Sequence, residues 1–185
     1  MKVVICNYQH AQLYEPKEPT LAIRIFDPTC VHHPECQNGF DPRRHVDHNV
    51  FHPLKPSEHW VKELTYAFHD VDPMRALLEG NEEEARKRFA NPDVPKLETA
   101  LKMRQEFEEA MALYQPTRIL AHCWAGMSRS VATVKALCEH AGHQIEWASF
   151  DGRHNLMASG HTGNLWLYKL IRSGTDRLEI PLAGI

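Results

Sequence analysis

The chain has 185 residues, of which 43% are hydrophobic and 24% charged, and its formal net charge at pH 7 is −3. This length fits one compact domain, and the composition is that of a globular protein rather than a disordered or membrane-spanning one. The small net charge provides no broad basic field, so we expect neither nucleic-acid nor membrane binding.

Three short apolar runs in the first part of the chain predict strands. They lie at 3–6, 21–26 and 64–68, and each has the length and residue types of a buried strand. Between the second and third runs, residues 27–56 show no period and are rich in Pro, His, Asp and Asn. We expect a long loop there, and long irregular loops in compact domains are often functional.

The middle of the chain predicts two helical stretches. Residues 74–90 are expected to form a short charged helix with Asn81 as a candidate cap, and the Pro-containing stretch 91–95 ends it. Residues 96–114 carry apolar side chains at three- and four-residue spacing, which is typical of an amphipathic helix, and Pro116 closes it.

The final third continues the alternation of strands and helices. Its elements are a strand at 118–122, a helix from about 128 to 140 and a helix from about 163 to 173, with Thr162 or Asn164 as the cap of the last one. This alternation predicts an α/β fold with a central, mainly parallel sheet flanked by helices. We expect one domain over residues 1–185.

Cysteine usage and hydropathy bear on the compartment. The five cysteines are an odd number without framework-like spacing, which argues against a disulfide scaffold. The first residues contain too short an apolar run for a signal peptide, and no later run is long enough for a membrane helix. We therefore expect a cytoplasmic protein whose thiols stay reduced.

The connection between the strand at 118–122 and the helix after it carries the chemistry. We call it the 122–130 loop, and its sequence is His-Cys-Trp-Ala-Gly-Met-Ser-Arg-Ser. A turn from a buried strand into a helix N-terminus points backbone amides into one concavity, which binds anions together with the helix dipole. Gly126 relieves the steric limits of the tight turn. Arg129 adds a planar fork that grips two phosphate oxygens at once.

The same field acts on Cys123. A thiol at a helix N-terminus beside an arginine is favoured as the thiolate, as in other reactive cysteines. Held in an anion cradle, it is a nucleophile for phosphorus, and its attack yields a phosphocysteine intermediate. The Ser130 hydroxyl can donate to the sulfur when it leaves, whereas we expect His122 to support the loop rather than to transfer protons.

The 122–130 loop resembles the signature loop of the cysteine-dependent protein tyrosine and dual-specificity phosphatases, His-Cys-x5-Arg-Ser/Thr. Chance produces such a match about once in a thousand chains of this composition. The resemblance covers about 60–173 and is nearest to the compact dual-specificity and small bacterial or phage tyrosine-phosphatase-like types. It implies hydrolysis of phosphotyrosine or related protein and aryl phosphates. The residues expected to bind the phosphorylated group are Trp124, Ala125, Gly126, Met127, Ser128 and Arg129, with Trp124 walling the cleft.

The resemblance also implies an aspartic acid that protonates the leaving group. Asp70 and Asp72 follow the strand predicted at 64–68, where compact members of the family place the acid, and Asp93 has a spacing to the nucleophile that resembles uninterrupted members. We favour Asp70, because strand-end position is set by the fold whereas loop length varies freely. This choice requires an insertion at about 74–95.

The His- and Cys-rich part of 27–56 is an alternative source of chemistry. It contains Cys30, His32, His33 and Cys36, whose side chains are zinc ligands elsewhere. The Cys-x5-Cys spacing is not a common zinc knuckle, and thiolate chemistry needs no metal. We expect no metal and no cofactor.

Two other functions can use the same loop. A catalytically weak phosphate-binding module needs the amides and Arg129 but not the thiol, and a sulfurtransferase of the rhodanese type also places a cysteine in a loop. Intact Cys123 and Arg129 favour catalysis, and the following Ser130 favours phosphate chemistry. No Lys or Arg lies between Trp124 and Ser128. This weakens polyphosphoinositide or RNA triphosphate substrates, since their extra charges need partners.

Overall fold

The computed structural model describes residues 1–26, 53–123, 125–148 and 161–177. Within these ranges the strands are β1 (Lys2–Asn7), β2 (Thr20–Phe26), β3 (Trp60–Ala67), β4 (Arg118–Cys123) and β5 (Glu146–Ala148). The helices in the same ranges are α1 (Tyr8–Leu13), α2 (Pro73–Leu78), α3 (Glu82–Ala90), α4 (Leu97–Tyr114), α5 (Arg129–His140) and α6 (Leu165–Ser173).

The strands form one parallel sheet in the order β3-β2-β4-β1-β5. The expectation of an α/β fold around a mainly parallel sheet is confirmed. Because parallel strands end at the same edge, the last residues of β1, β2 and β4 lie together there, and this edge is where α/β folds bind ligands. The register pairs Asn7 with Cys123 and Arg24 with His122.

Apolar side chains cover both faces of the sheet, as parallel sheets require. Alternate residues of β4 point to opposite faces. Ile119, Ala121 and Cys123 belong to the larger core cluster, which α4, α5 and α6 cover. Leu120 belongs to the smaller cluster with Cys6 and residues of α1. Cys123 and Cys6 therefore contribute to different sides of the sheet.

The expected helix at 74–90 is wrong as a single element. The structure divides it into α2 and α3 at Gly80, whose φ of +75° is a left-handed conformation that ends a helix. Asn81 then caps α3, since its side chain accepts a hydrogen bond from the Glu84 backbone amide at 3.1 Å. The cap expected at Asn81 is confirmed, but the glycine before it makes it the start of a second helix.

Other boundaries follow the sequence closely. The helix expected at 96–114 is α4, whose buried face carries Ala100, Met103, Phe107 and Ala110 at helical spacing. Asn164, not Thr162, caps α6. The short elements α1 and β5 were not expected, and β3 begins at Trp60, earlier than predicted.

The long loop expected at 27–56 falls mostly outside the described residues, which resume at 53. In the described ranges, no helix is both long and apolar enough to cross a membrane.

Asp72 fastens α2 to α6. Its carboxylate accepts a hydrogen bond from the Arg75 amide at 3.3 Å, which caps α2. It also accepts from the Leu165 amide at 2.8 Å and the Trp166 amide at 3.2 Å, in the first turn of α6. A carboxylate at two helix N-termini satisfies amides that the helices leave open and complements both helix dipoles.

We predict that Asp72→Ala lowers the free energy of unfolding by about 2–4 kcal/mol, because it removes the cap of α2 and leaves the first-turn amides of α6 unpaired. Asp93→Ala is the matched control, since that side chain is 47% exposed. We expect the control to change stability by less than about 0.5 kcal/mol. Urea denaturation measures both variants, and equal losses would show that Asp72 does not fasten the helices.

Candidate active site

The 122–130 loop runs from the end of β4 into the first turn of α5. The structure describes it except for Trp124, whose expected place in the cleft lies outside the described residues. Gly126 has a φ of +68°, and a Cβ at this position would lie 2.3 Å from the Cys6 carbonyl oxygen of β1. The loop therefore packs backbone against backbone on β1, and no other residue fits at Gly126 without displacement.

Cys123 and Ser130 lie in contact beneath this turn. The thiol is a free cysteine and is only 2% exposed. Its Sγ lies 3.3 Å from the Ser130 Oγ, and Ser130 is completely buried in the first turn of α5. The hydroxyl is therefore within reach of the sulfur, at the end of the helix where the dipole favours negative charge.

Arg129 is the first residue of α5 and is almost completely buried. Its Nη1 donates a hydrogen bond to the Phe68 carbonyl at 2.7 Å. Phe68 follows β3 directly, so this bond joins the 122–130 loop to residues 68–72, which we call the 68–72 segment. The guanidinium is anchored on the side of the site where the candidate acids lie.

The structure separates the three candidate acids. Asp70 accepts hydrogen bonds from the Ser128 hydroxyl and from the Asn164 side-chain amide, both at 2.8 Å and both on Oδ1. Asp72 is occupied by backbone amides in the first turns of α2 and α6. Asp93 lies on an exposed turn, with its Oδ2 3.9 Å from the His69 Nε2. Asp70 is thus the candidate acid that touches the 122–130 loop.

His122 is buried behind the loop. Its Nε2 accepts a hydrogen bond from the Arg24 Nε at 3.1 Å, and the Arg24 Nη1 bonds to Glu63 at 2.6 Å. Burial, followed by the positive charge of Arg24, lowers the pKa of His122 to about 3. An imidazole that accepts at Nε2 is neutral, with its proton on Nδ1. His122 therefore supports the strand end and is unsuited to proton transfer near neutral pH.

The sequence interpretation did not give a role in the site to Arg24 or to the side-chain amide of Asn164. The sequence does indicate that Arg24 is unusual, because it is the one charged residue in the apolar run 21–26. A buried charge needs a partner, and a polar partner on a neighbouring strand is the usual solution. Asn164 was recognised as a candidate cap, but nothing local to it indicated its bond to Asp70.

Residues 1–26, 53–123, 125–148 and 161–177 contain no group of three or more His, Cys, Asp or Glu side chains that could hold a metal ion. The candidate ligands Cys30, His32, His33 and Cys36 lie outside these ranges. The expectation of a metal-free protein stays a prediction.

Comparison with known proteins gives no match to a protein-family model, a curated protein or a solved structure. The resemblance to cysteine-dependent phosphatases therefore depends on the residues of the chain itself.

The lowered pKa of His122 predicts an acid-sensitive contribution to stability. In the unfolded chain this residue binds a proton when the pH falls below its ordinary pKa of 6.5, whereas in the folded chain its pKa is about 3. The contribution of His122 to the free energy of unfolding is therefore fully present above pH 6.5. It is lost as the pH falls towards 3, by up to about 1.4 kcal/mol per pH unit.

Between pH 7 and pH 5 the wild type should lose about 2 kcal/mol more than His122→Asn, which has no group to titrate there. Urea denaturation at several pH values gives both curves. The quantity to compare is the slope of the free energy of unfolding against pH, because the variant also loses the Arg24 contact at every pH. Parallel curves would show that His122 titrates in the folded protein much as it does in the unfolded one.

Proposed function

We propose that the chain is a phosphomonoesterase that hydrolyses phosphotyrosine or related protein and aryl phosphates through a phosphocysteine intermediate. The observation that carries the proposal is the hydrogen bond from Ser128, in the thiol-bearing loop, to the carboxylate of Asp70. It brings a proton donor to a loop that already combines a nucleophile, an arginine and a helix N-terminus.

Binding of the phosphate follows from the shape of the loop. The amides of residues 125–129 and the fork of Arg129 are the donors for the nonbridging oxygens, and they need no metal. The Arg129 bond to Phe68 fixes the guanidinium before substrate arrives, so little reorganisation is needed in the transition state. Met127 is 40% exposed and lies on the rim of the loop, where an apolar or aromatic substrate group can contact it.

In the first step the Cys123 sulfur attacks phosphorus. A sulfur–phosphorus bond forms, the bond from phosphorus to the leaving oxygen breaks, and that oxygen takes a proton from Asp70. In the second step the Asp70 carboxylate accepts a proton from water while the water oxygen attacks phosphorus. The sulfur–phosphorus bond then breaks, and the Ser130 hydroxyl, 3.3 Å away, stabilises the departing thiolate. The cycle releases inorganic phosphate and restores the protonated acid.

The partner of this site is a phosphorylated protein or a small aryl phosphate, and we propose no nucleic-acid or membrane partner. A reducing compartment such as the cytoplasm suits the mechanism because it keeps the thiol available. Cys6, Cys123 and Cys138, the described cysteines, are all free.

We predict that Cys123→Ser abolishes turnover of aryl phosphates while phosphate or vanadate binding survives, because the amides and Arg129 remain. Steady-state kinetics measure the turnover, and calorimetric titration measures the binding. Binding without wild-type turnover would favour the phosphate-binding module, and thiosulfate sulfurtransferase activity would favour the rhodanese type.

Wild-type activity should also persist in excess EDTA, since the thiolate and Arg129 supply what a metal supplies in metallophosphatases.

Asp70→Asn should act according to the leaving group. Proton donation contributes roughly 10²–10⁴ in rate when the leaving oxygen is basic. The variant should therefore slow the hydrolysis of phenyl phosphate strongly and that of a fluorinated coumarin phosphate only slightly. Asp93→Asn is the matched control and should leave the ratio of the two rates unchanged. If Asp93→Asn shows the substrate-dependent loss instead, the acid is Asp93.

A further inference from the structure

Asn164 is a buried residue that connects three parts of the site. It lies at the N-cap of α6 and is 0% exposed. Its Oδ1 accepts a hydrogen bond from the Leu167 amide at 2.9 Å, which is an ordinary helix cap. Its Nδ2 donates to the Asp70 Oδ1 at 2.8 Å and to the Val71 carbonyl at 3.2 Å. The side-chain amide thus caps α6 with one end and binds the 68–72 segment with the other.

The backbone around Asn164 is fixed against the 122–130 loop. The Asn164 amide approaches the Ser128 carbonyl at 3.4 Å. Gly163 has a φ of +76°, and a Cβ there would lie 2.2 Å from the same carbonyl oxygen. The His161 Nε2 makes a hydrogen bond with the Met127 carbonyl at 2.7 Å, and Arg75 donates to the Gly163 carbonyl at 3.1 Å. Asn164 is therefore held in place by its surroundings.

Ser128 provides an independent observation. It occupies the N-cap of α5, where a serine side chain commonly bonds its own helix, yet it makes no such bond. Its hydroxyl donates to the Asp70 Oδ1 instead. Two donors therefore converge on one oxygen of Asp70, one from each side of the site.

Two donors on Oδ1 determine where an acidic proton can lie. A protonated carboxyl group has one hydroxyl and one carbonyl oxygen, and an oxygen that accepts from an amide and a hydroxyl serves as the carbonyl oxygen. With Oδ1 engaged by two donors, Oδ2 is the oxygen left to carry a proton when Asp70 acts as an acid. A general acid has to be within hydrogen-bond reach of the leaving oxygen in the correct orientation, so fixing which oxygen carries the proton has a direct effect on catalysis.

We infer that Asn164 is a positioning residue for the general acid: its side-chain amide, with the Ser128 hydroxyl, holds Asp70 so that Oδ2 presents the proton to the leaving group. The inference rests on the proposed phosphatase function and adds a residue to it. Asn164 acts through Asp70 and does not itself contact the reacting atoms.

The test is a double-mutant cycle with Asn164→Ser, Asp70→Asn and the double variant. Serine is a good N-cap, so Asn164→Ser preserves a cap for α6 while it removes the amide donor. Asn81→Ser is the matched control, because Asn81 caps α3 and its side chain accepts a hydrogen bond from the Glu84 amide of that same helix. The substrates are phenyl phosphate and a fluorinated coumarin phosphate.

For Asn164→Ser we expect kcat/KM to fall about 10–30-fold with phenyl phosphate and less than about 3-fold with the activated substrate. In the Asp70→Asn background the same change should cost less than about 2-fold, because residues that act as a unit are not additive. Asn81→Ser should leave kcat/KM unchanged for both substrates.

Two results would overturn the inference and leave the phosphatase function standing. One is that Asn164→Ser slows both substrates equally, and the other is that it lowers kcat/KM as much in the Asp70→Asn background as in the wild type. A wild type that turns over neither substrate would overturn the proposed function itself. If circular dichroism shows that Asn164→Ser does not fold, Asn164→Thr serves instead, since a threonine hydroxyl also caps a helix and this variant too lacks the amide donor. It should give the same dependence on the leaving group, and a loss that is independent of the leaving group would count against the inference.

Discussion

The 122–130 loop has backbone packed against it on two sides, and the rest of the site depends on that fit. On one side Gly126 lies against the Cys6 carbonyl of β1, and on the other Gly163 lies against the Ser128 carbonyl. A side chain at either glycine would displace the loop, since the Cβ would lie within 2.3 Å of a carbonyl oxygen. Close packing of this kind fixes the path of the backbone at Gly126 and at Ser128.

The charged residues around the loop are each held by a specific partner. Arg129 bonds to the Phe68 carbonyl, and Arg24 bonds to both His122 and Glu63. Burying a charged group without such partners costs several kcal/mol. The two arginines therefore lie where strand ends and neighbouring strands provide acceptors. The proposed mechanism would use a guanidinium that the fold already holds in place.

The parts of the fold that the sequence predicted well are those specified by local pattern. The strand before Cys123, the helix after it and the apolar face of α4 depend on periodicity and on caps a few residues away. The division at Gly80 was also readable, but the charged run that follows it at 82–88 drew the prediction of one continuous charged helix. The short elements α1 and β5 have too few residues for a period to be recognised.

Long-range contacts were beyond the sequence. The Arg24 bond to His122 joins residues 98 positions apart, and the Asn164 bond to Asp70 joins residues 94 positions apart. The first depends on the order of strands in the sheet and the second on where α6 packs against the 68–72 segment, and local pattern specifies neither. Asp70 was favoured for its position at a strand end, and the parallel sheet gives that argument its physical basis because strand ends gather at one edge.

The most direct test of the proposed mechanism is rapid quenching during turnover of an aryl phosphate, followed by peptide mass spectrometry. We expect one phosphoryl group on Cys123 in the first turnover, and a larger amount of it in Ser130→Ala, whose sulfur leaves without the hydroxyl donor. Turnover with an unmodified Cys123, or with the phosphoryl group on another residue, would contradict the assignment of Cys123 as the nucleophile.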